Sequence, residues 1–222
     1  MTSAIGQVLP LAIGVALSPI PIIAVVLMLV SARGRVNGPA FLLGWLVGLA
    51  VLGTIVLAIA GPAQSGDQGS STAASVFQIG LGALVLLVAF AQWRKRPATG
   101  TEPPPPKWMA TIDSFTPVKA AGMGALFAAL NPKNTLLAVS AAATIAQTGI
   151  TGGQQAIAYG VFVVIATIGV GAPVAIYFTM GDRAQKMLDD LKQWMAHNNA
   201  VIMSVLLLVI GAKIIGQGIA GL

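Results

Sequence analysis

The chain has 222 residues, 56% of them hydrophobic and 8% charged, with mean hydropathy +0.88. A soluble domain carries about 25% charged residues, so this composition excludes a soluble globular domain, a disordered chain and a coiled coil. Apolar runs of about 20 residues or more point to membrane helices rather than a barrel. The net charge of +6 would suggest nucleic acid in a soluble protein; here it must first be assigned to loops. The chain has no Cys, so disulfides and thiol chemistry are excluded, and one His with six acids leaves little for a metal site or an acid–base pair.

Six apolar segments run over 3–31, 37–60, 72–93, 118–147, 154–180 and 198–220. Each is long enough to cross about 30 Å of hydrocarbon. The loop after the first holds Arg33 and Arg35, and the loop after the third with its edges holds Arg94, Lys95, Arg96, Lys107 and Lys119. The loop after the fifth holds Arg183, Lys186 and Lys192. The other loops and both ends of the chain hold no Lys or Arg. The positive-inside rule therefore puts the three basic loops in the cytoplasm and both termini outside. Two basic residues, Lys133 and Lys213, fall within apolar segments. The charge thus reports orientation, and no nucleic-acid partner is expected.

The first segment carries Ser18-Pro19-Ile20-Pro21, and each proline removes an N–H from a helix in hydrocarbon. The fourth carries Asn131-Pro132-Lys133-Asn134-Thr135, a helix break combined with four polar side chains. Aligning Ser18-Pro19 with Asn131-Pro132 also matches Ala12 with Ala125, Ala16-Leu17 with Ala129-Leu130, and Val26 with Val139. Three segments per half is an odd number, so the second half must be inverted. The expected fold is an all-α polytopic membrane protein of six transmembrane helices. It forms two inverted three-helix repeats, with the first and fourth helices broken at Pro. The first repeat covers 1–93, a cytoplasmic Pro-rich linker 94–117, and the second repeat 118–222. Interrupted helices at equivalent places in inverted repeats point to the binding site of a secondary transporter.

A lysine at the bilayer centre costs about 2.5–3.5 kcal/mol on insertion scales, so its burial must be compensated or used. One reading has Pro132 merely kink the helix while Lys133 pairs with freed carbonyls. The other makes a midplane site: Lys133 is the charged contact, and Asn131, Asn134, Thr135 and Ser18 are hydrogen-bonding groups beside Pro132, Pro19 and Pro21. No Asp or Glu lies in any span. A carrier of cations would be expected to place a carboxylate in its path. A lone lysine suits sulfate, phosphate or carboxylate, and it could also carry a proton.

Lys213 snorkels to the outer interface or makes a second site contact. Gly44 and Gly48 form a small-xxx-small pair, which permits close packing within the fold or a homodimer. In the linker, 103–106 is a stiff run of prolines, and Trp108, Met109, Ile112 and Phe115 have the spacing of a short surface helix. Thr116-Pro117 reads as the N-cap and first position of the fourth span. Residues 182–195 place Ala184, Met187, Leu188, Leu191, Trp194 and Met195 opposite a charged face, as in an interfacial helix. Asp189-Asp190 reads as solvated surface, and no metal or cofactor is expected.

The run Lys107-Trp108-Met109, Ile112-Asp113-Ser114-Phe115-Thr116-Pro117, then Leu130-Asn131-Pro132-Lys133-Asn134 resembles the peptidoglycolipid-addressing family, which includes mycobacterial sulfolipid-addressing proteins. That family is a branch of the lysine-exporter superfamily. The resemblance implies a bacterial inner-membrane protein linked to moving glycolipids toward the cell surface. Superfamily members often carry a Pro-Gly-Pro break in the first helix; here it is Pro19-Ile20-Pro21.

The leading expectation is an export transporter or translocase for a (glyco)lipid or other anionic-headgroup substrate, with membrane lipids as its surroundings. A second is an accessory protein that organises lipid-synthesis and export proteins. A third is an exporter of amino acids or other small solutes. An enzyme is not expected, because the spans hold no nucleophile–base pair or paired carboxylates.

Overall fold

The computed structural model describes residues 1–60, 72–94, 111–112, 114–220 and 222. Among the described residues there are eight helices and no strand. They are α1 (Thr2–Ala16), α2 (Pro19–Val30), α3 (Gly34–Ala60), α4 (Thr72–Arg94), α5 (Pro117–Ala129), α6 (Pro132–Ala146), α7 (Gly152–Met180) and α8 (Asp182–Ala220). By length and hydropathy, three stretches can cross a membrane: Gly34–Ile59, Gly152–Met180 and Arg183–Ala220. The α1–α2 pair, bent by 51° at its break, makes a fourth if counted as one span. The exposed surface is studded with large apolar side chains, including Leu43, Val47 and Val51 on α3 and Val164 and Ile168 on α7. That is the surface of a multi-pass membrane protein, whose solvent on those faces is hydrocarbon.

The described helices form two compact units. One lies within 1–63 and 104–196, the other within 64–103 and 197–222. Inside the first, α3 and α5 pack closely because both present small residues. A Cβ on Gly44 would overlap the Ala121 carbonyl, and one on Gly124 would overlap the Phe41 carbonyl. Gly48 faces Ala125 and Ala128 in the same way. The small-xxx-small pair is therefore used within the fold. These pairings advance together along both helices, so α3 and α5 run parallel.

Asn37, fully buried near the start of α3, fixes their register by donating from Nδ2 to the Phe115 carbonyl at 3.0 Å. Ile112 and Phe115 are both buried. The rest of the expected linker helix, with Trp108, Met109 and the prolines at 103–106, lies outside the described residues. Thr116 caps α5 as its sequence suggests, its Oγ1 accepting from the Lys119 N–H at 3.4 Å with Pro117 next.

Helix α7 runs antiparallel to α3. Gly53 lies against the Tyr159 ring, while Gly171 faces Leu42 further along α7. Tyr159 donates its hydroxyl to the Leu49 carbonyl at 3.0 Å. The start of α3, the start of α5 and the end of α7 consequently share one end of the unit. The exposed Arg33, Arg35, Lys119 and Arg183 belong to that end. In the following turns of α8, Ala184, Leu188 and Met195 are buried and the acids face outward. Lys186 pairs with Asp190 at 2.9 Å and Lys192 with Asp189 at 2.7 Å, so the acidic pair is taken up on the helix's own surface.

In the second unit, α4 meets the last third of α8 through glycines. Gly82 faces Ile215, Gly211 faces Leu86, and Gly218 faces Ile79 and the Ser75 carbonyl. Lys213, part-buried, lies in this stretch.

The packing makes a sharp prediction. Gly44→Ala and Gly124→Ala should each force α3 and α5 apart and destabilise the protein by about 1–3 kcal/mol. Gly160→Ala, with nothing within 4 Å, should be neutral or slightly stabilising. Thermal unfolding of the purified variants in detergent gives the comparison.

Candidate functional site at two joined helix breaks

Both breaks occur where the sequence puts a proline, and both are true helix ends rather than kinks. At the first, α1 closes with the Leu17 N–H on the Ile13 carbonyl at 2.9 Å and the Ser18 N–H on the Val15 carbonyl at 3.2 Å. Then α2 starts afresh with Ser18 as N-cap and Pro19 at its first position. At the second, α5 ends at Ala129 and α6 starts with Asn131 as N-cap and Pro132 at its first position. A proline there loses nothing, because the first N–H groups of a helix have no intrahelical partner. Ser18 and Asn131, matched in the sequence alignment, thus hold the same structural position.

Their side chains do different things. Asn131 is an ordinary cap, with Oδ1 accepting from the Lys133 N–H at 3.2 Å. Ser18 makes no cap bond to its own helix. Three residues on, Pro21 has no N–H to offer, so a usual target of an N-cap side chain is missing. The buried Ser18 hydroxyl instead donates to Asn134 Oδ1 at 2.6 Å. Asn134, with no exposed surface, donates from Nδ2 to the Phe127 carbonyl at 3.0 Å. One side chain therefore ties together α2, α5 and α6.

The end of α5 is covered in the same economical way. The carbonyls of Phe127 and Ala129 would normally accept from Asn131 and Lys133 four residues on. Asn134 takes the first, and Thr135 Oγ1 takes the second at 2.6 Å, with a further bond to the Asn131 carbonyl at 2.9 Å. The pairing with freed carbonyls that one reading expects of Lys133 is not made. The carbonyls of Phe127, Ala129 and Asn131 are held by Asn134 and Thr135, and Lys133 Nζ pairs with none of them.

Lys133 is 8% exposed, and its Nζ has no hydrogen-bond partner. It occupies the second position of α6, where the helix end itself carries partial positive charge. The site is thus a buried, uncompensated cation beside two helix N-termini. When protonated, such an amine can meet an anion, and it can also carry a proton. Pro19 and Pro21 are buried in the first turn of α2, and Pro132 is exposed. Lys213 belongs to the second unit.

Sequence reasoning passed over Gly169. A Cβ there would overlap the Ala16 carbonyl and crowd Ile22. The bare backbone of α7 is therefore laid against the first break. It also passed over Trp45, fully buried with its indole N–H lacking an acceptor. The only hint for either was a small or aromatic residue on the inward stripe of a long apolar segment.

A family model described as Sap, sulfolipid-1-addressing protein, matches residues 8–220, a stretch that contains both breaks. The chain belongs to this sulfolipid-addressing family. No curated protein and no solved structure matches it. Within this family member, one side-chain bond links the two breaks directly, and it can be tested alone. Ser18→Ala should leave Asn134 Oδ1 buried without a donor and cost about 1–3 kcal/mol. Combined with Asn134→Leu, the two substitutions should be non-additive by about 0.5–3 kcal/mol in thermal unfolding. Additive effects would mean that the breaks are not joined there.

Proposed function

We propose that this member of the sulfolipid-addressing family is an export transporter or translocase for a glycolipid or other lipid with an anionic headgroup. The observation that carries this reading is the buried Lys133 ammonium, unpaired at the point where the two broken helices meet. Such a charge in a membrane interior costs about 2.5–3.5 kcal/mol on insertion scales, and an arriving anion would offset that cost. Half-helix N-termini aimed at a midplane site serve the same chemistry. In this reading Lys133 holds the headgroup. Asn131, Pro132, Asn134, Thr135, Ser18, Pro19 and Pro21 shape and fix the cradle.

The architecture that goes with it has six spans in two inverted repeats, with α4 and the α5–α6 pair also crossing the bilayer. The like-placed breaks at Pro19 and Pro132 support the repeat. The gathering of Arg33, Arg35, Lys119 and Arg183 at one end of the first unit supports a cytoplasmic face there. Both termini would then lie outside, in a bacterial inner membrane. Kinship to the lysine-exporter superfamily and a mycobacterial type of cargo belong to the same proposal.

A second reading rests on the exposed Met187 (47%) and Trp194 (57%) near the start of α8. These would serve an accessory protein that docks lipid-synthesis and export partners there. The experiment is a lipid-display assay in cells with Lys133→Ala and Lys133→Arg, paired with reconstitution of the purified chain in liposomes. Transport predicts that Lys133→Ala abolishes surface display while membrane insertion stays normal, and that Lys133→Arg keeps part of it. Normal display in Lys133→Ala would remove Lys133 from the site. A reconstituted chain that moves no lipid would favour the accessory role.

A further inference from the structure

The second break has two faces of opposite chemistry. Lys133, Asn134, Leu137, Ala138 and Ala141 are buried on the inner side of α6. On the outer side a shallow, widely open hollow of about 400 Å³ lies at the surface, lined by Ala129, Leu130, Pro132, Thr135, Leu136 and Val139. A helix break is ordinarily a polar place, because it exposes carbonyls and N–H groups that lack partners. Here much of the backbone polarity beside the hollow is taken up. Pro132 has no N–H. The Leu130 N–H is bonded to the Leu126 carbonyl at 2.8 Å. Thr135, the one lining residue with a polar side chain, has its hydroxyl on the Ala129 and Asn131 carbonyls. The hollow therefore offers little to a water or an anion, which need several polar partners. It is bordered by Leu130, 68% exposed, and Leu126, 52% exposed, which are at ease only in hydrocarbon.

We propose that this hollow is the seat of one alkyl chain of the lipid cargo, so that the break is approached from within the membrane rather than from water. The inference rests on the lipid-export reading and adds a second subsite to it. The alkyl chain lies against the outer side of the first turns of α6, and the headgroup site at Lys133 belongs to the inner side of the same turns. A concave apolar surface in hydrocarbon forfeits dispersion contacts unless a chain fills it. The lining residues at 132, 135, 136 and 139 follow helical spacing, so they present one continuous strip to that chain.

The test uses the full chain in nanodiscs of zwitterionic phospholipid. Two photoactivatable lipids each carry a diazirine on one alkyl chain, one with a sulfated sugar headgroup and one with the uncharged sugar. After irradiation, the labelled peptides are mapped. The proposal expects label concentrated in 129–139 with both probes. It expects that label to fall roughly tenfold in Leu136→Trp and in Val139→Trp, each of which fills the hollow. Label spread evenly over the exposed faces of α3 and α7 without enrichment at 129–139 overturns it, as does label undiminished by either tryptophan. The map on the unaltered chain decides even where one tryptophan variant fails to insert. The two readings fail separately. Enriched chain labelling with no preference for the sulfated probe, unchanged in Lys133→Met, keeps the chain seat and removes the headgroup site. A sulfated-probe preference that Lys133→Met abolishes, without enrichment at 129–139, keeps the headgroup site and removes the seat.

Discussion

The constraint on which this structure depends is that a helix interrupted in an apolar surrounding must satisfy its severed backbone from its own side chains. Two helices are interrupted here, and one hydrogen bond, from Ser18 to Asn134, joins the interruptions. The prolines make this possible. They start α2 and α6 at positions where a missing N–H costs nothing, and Pro21 releases the Ser18 hydroxyl from capping duty. Asn134 and Thr135 then cover the end of α5. Because these small polar groups satisfy the carbonyls, the one strong charge in the neighbourhood is left without a partner.

Packing around the breaks serves the same end. Helices α3 and α5 are brought into backbone contact by Gly44, Gly48 and Gly124, and α7 is brought against α1 by Gly169. Tight contact through small residues is how helices associate where lipid tails are as apolar as the side chains. It holds the two breaks at a fixed separation, so that a short serine and a short asparagine can span it. The outer surface of the second break is apolar while its inner surface holds the lysine. A lipid, with its charged head and hydrocarbon tail, has that same division.

Much of this was legible in the sequence because the decisive signals are local. Composition and apolar run length marked a helical membrane protein, and Pro19 and Pro132 marked the breaks at the residues where they occur. Lys133 stood out as a charge in an apolar run, and the Thr116-Pro117 cap was read correctly. What stayed hidden depends on contacts distant in sequence. Ser18 and Asn134 were both named as ligand groups, yet each has much of its hydrogen-bonding capacity engaged by the other, 116 residues apart. Thr135 likewise turns inward to carbonyls, and Asn131 caps its own helix. The choice between a lysine paired with carbonyls and a free one could not be made from the sequence, since it depends on which side chains reach those carbonyls first. Gly44 and Gly48 were legible as a small-xxx-small pair, whereas their counterpart Gly124 and Gly169 on α7 were not, because glycine is common throughout the chain.

The central claim is that an isolated cation at the joined breaks recognises an anionic headgroup. Native mass spectrometry of the purified chain with a sulfated glycolipid and its unsulfated counterpart measures this directly. The account predicts retention of the sulfated lipid over the neutral one, with the preference lost in Lys133→Met and largely kept in Lys213→Met. Equal retention of both lipids, or a preference that survives Lys133→Met, would contradict it.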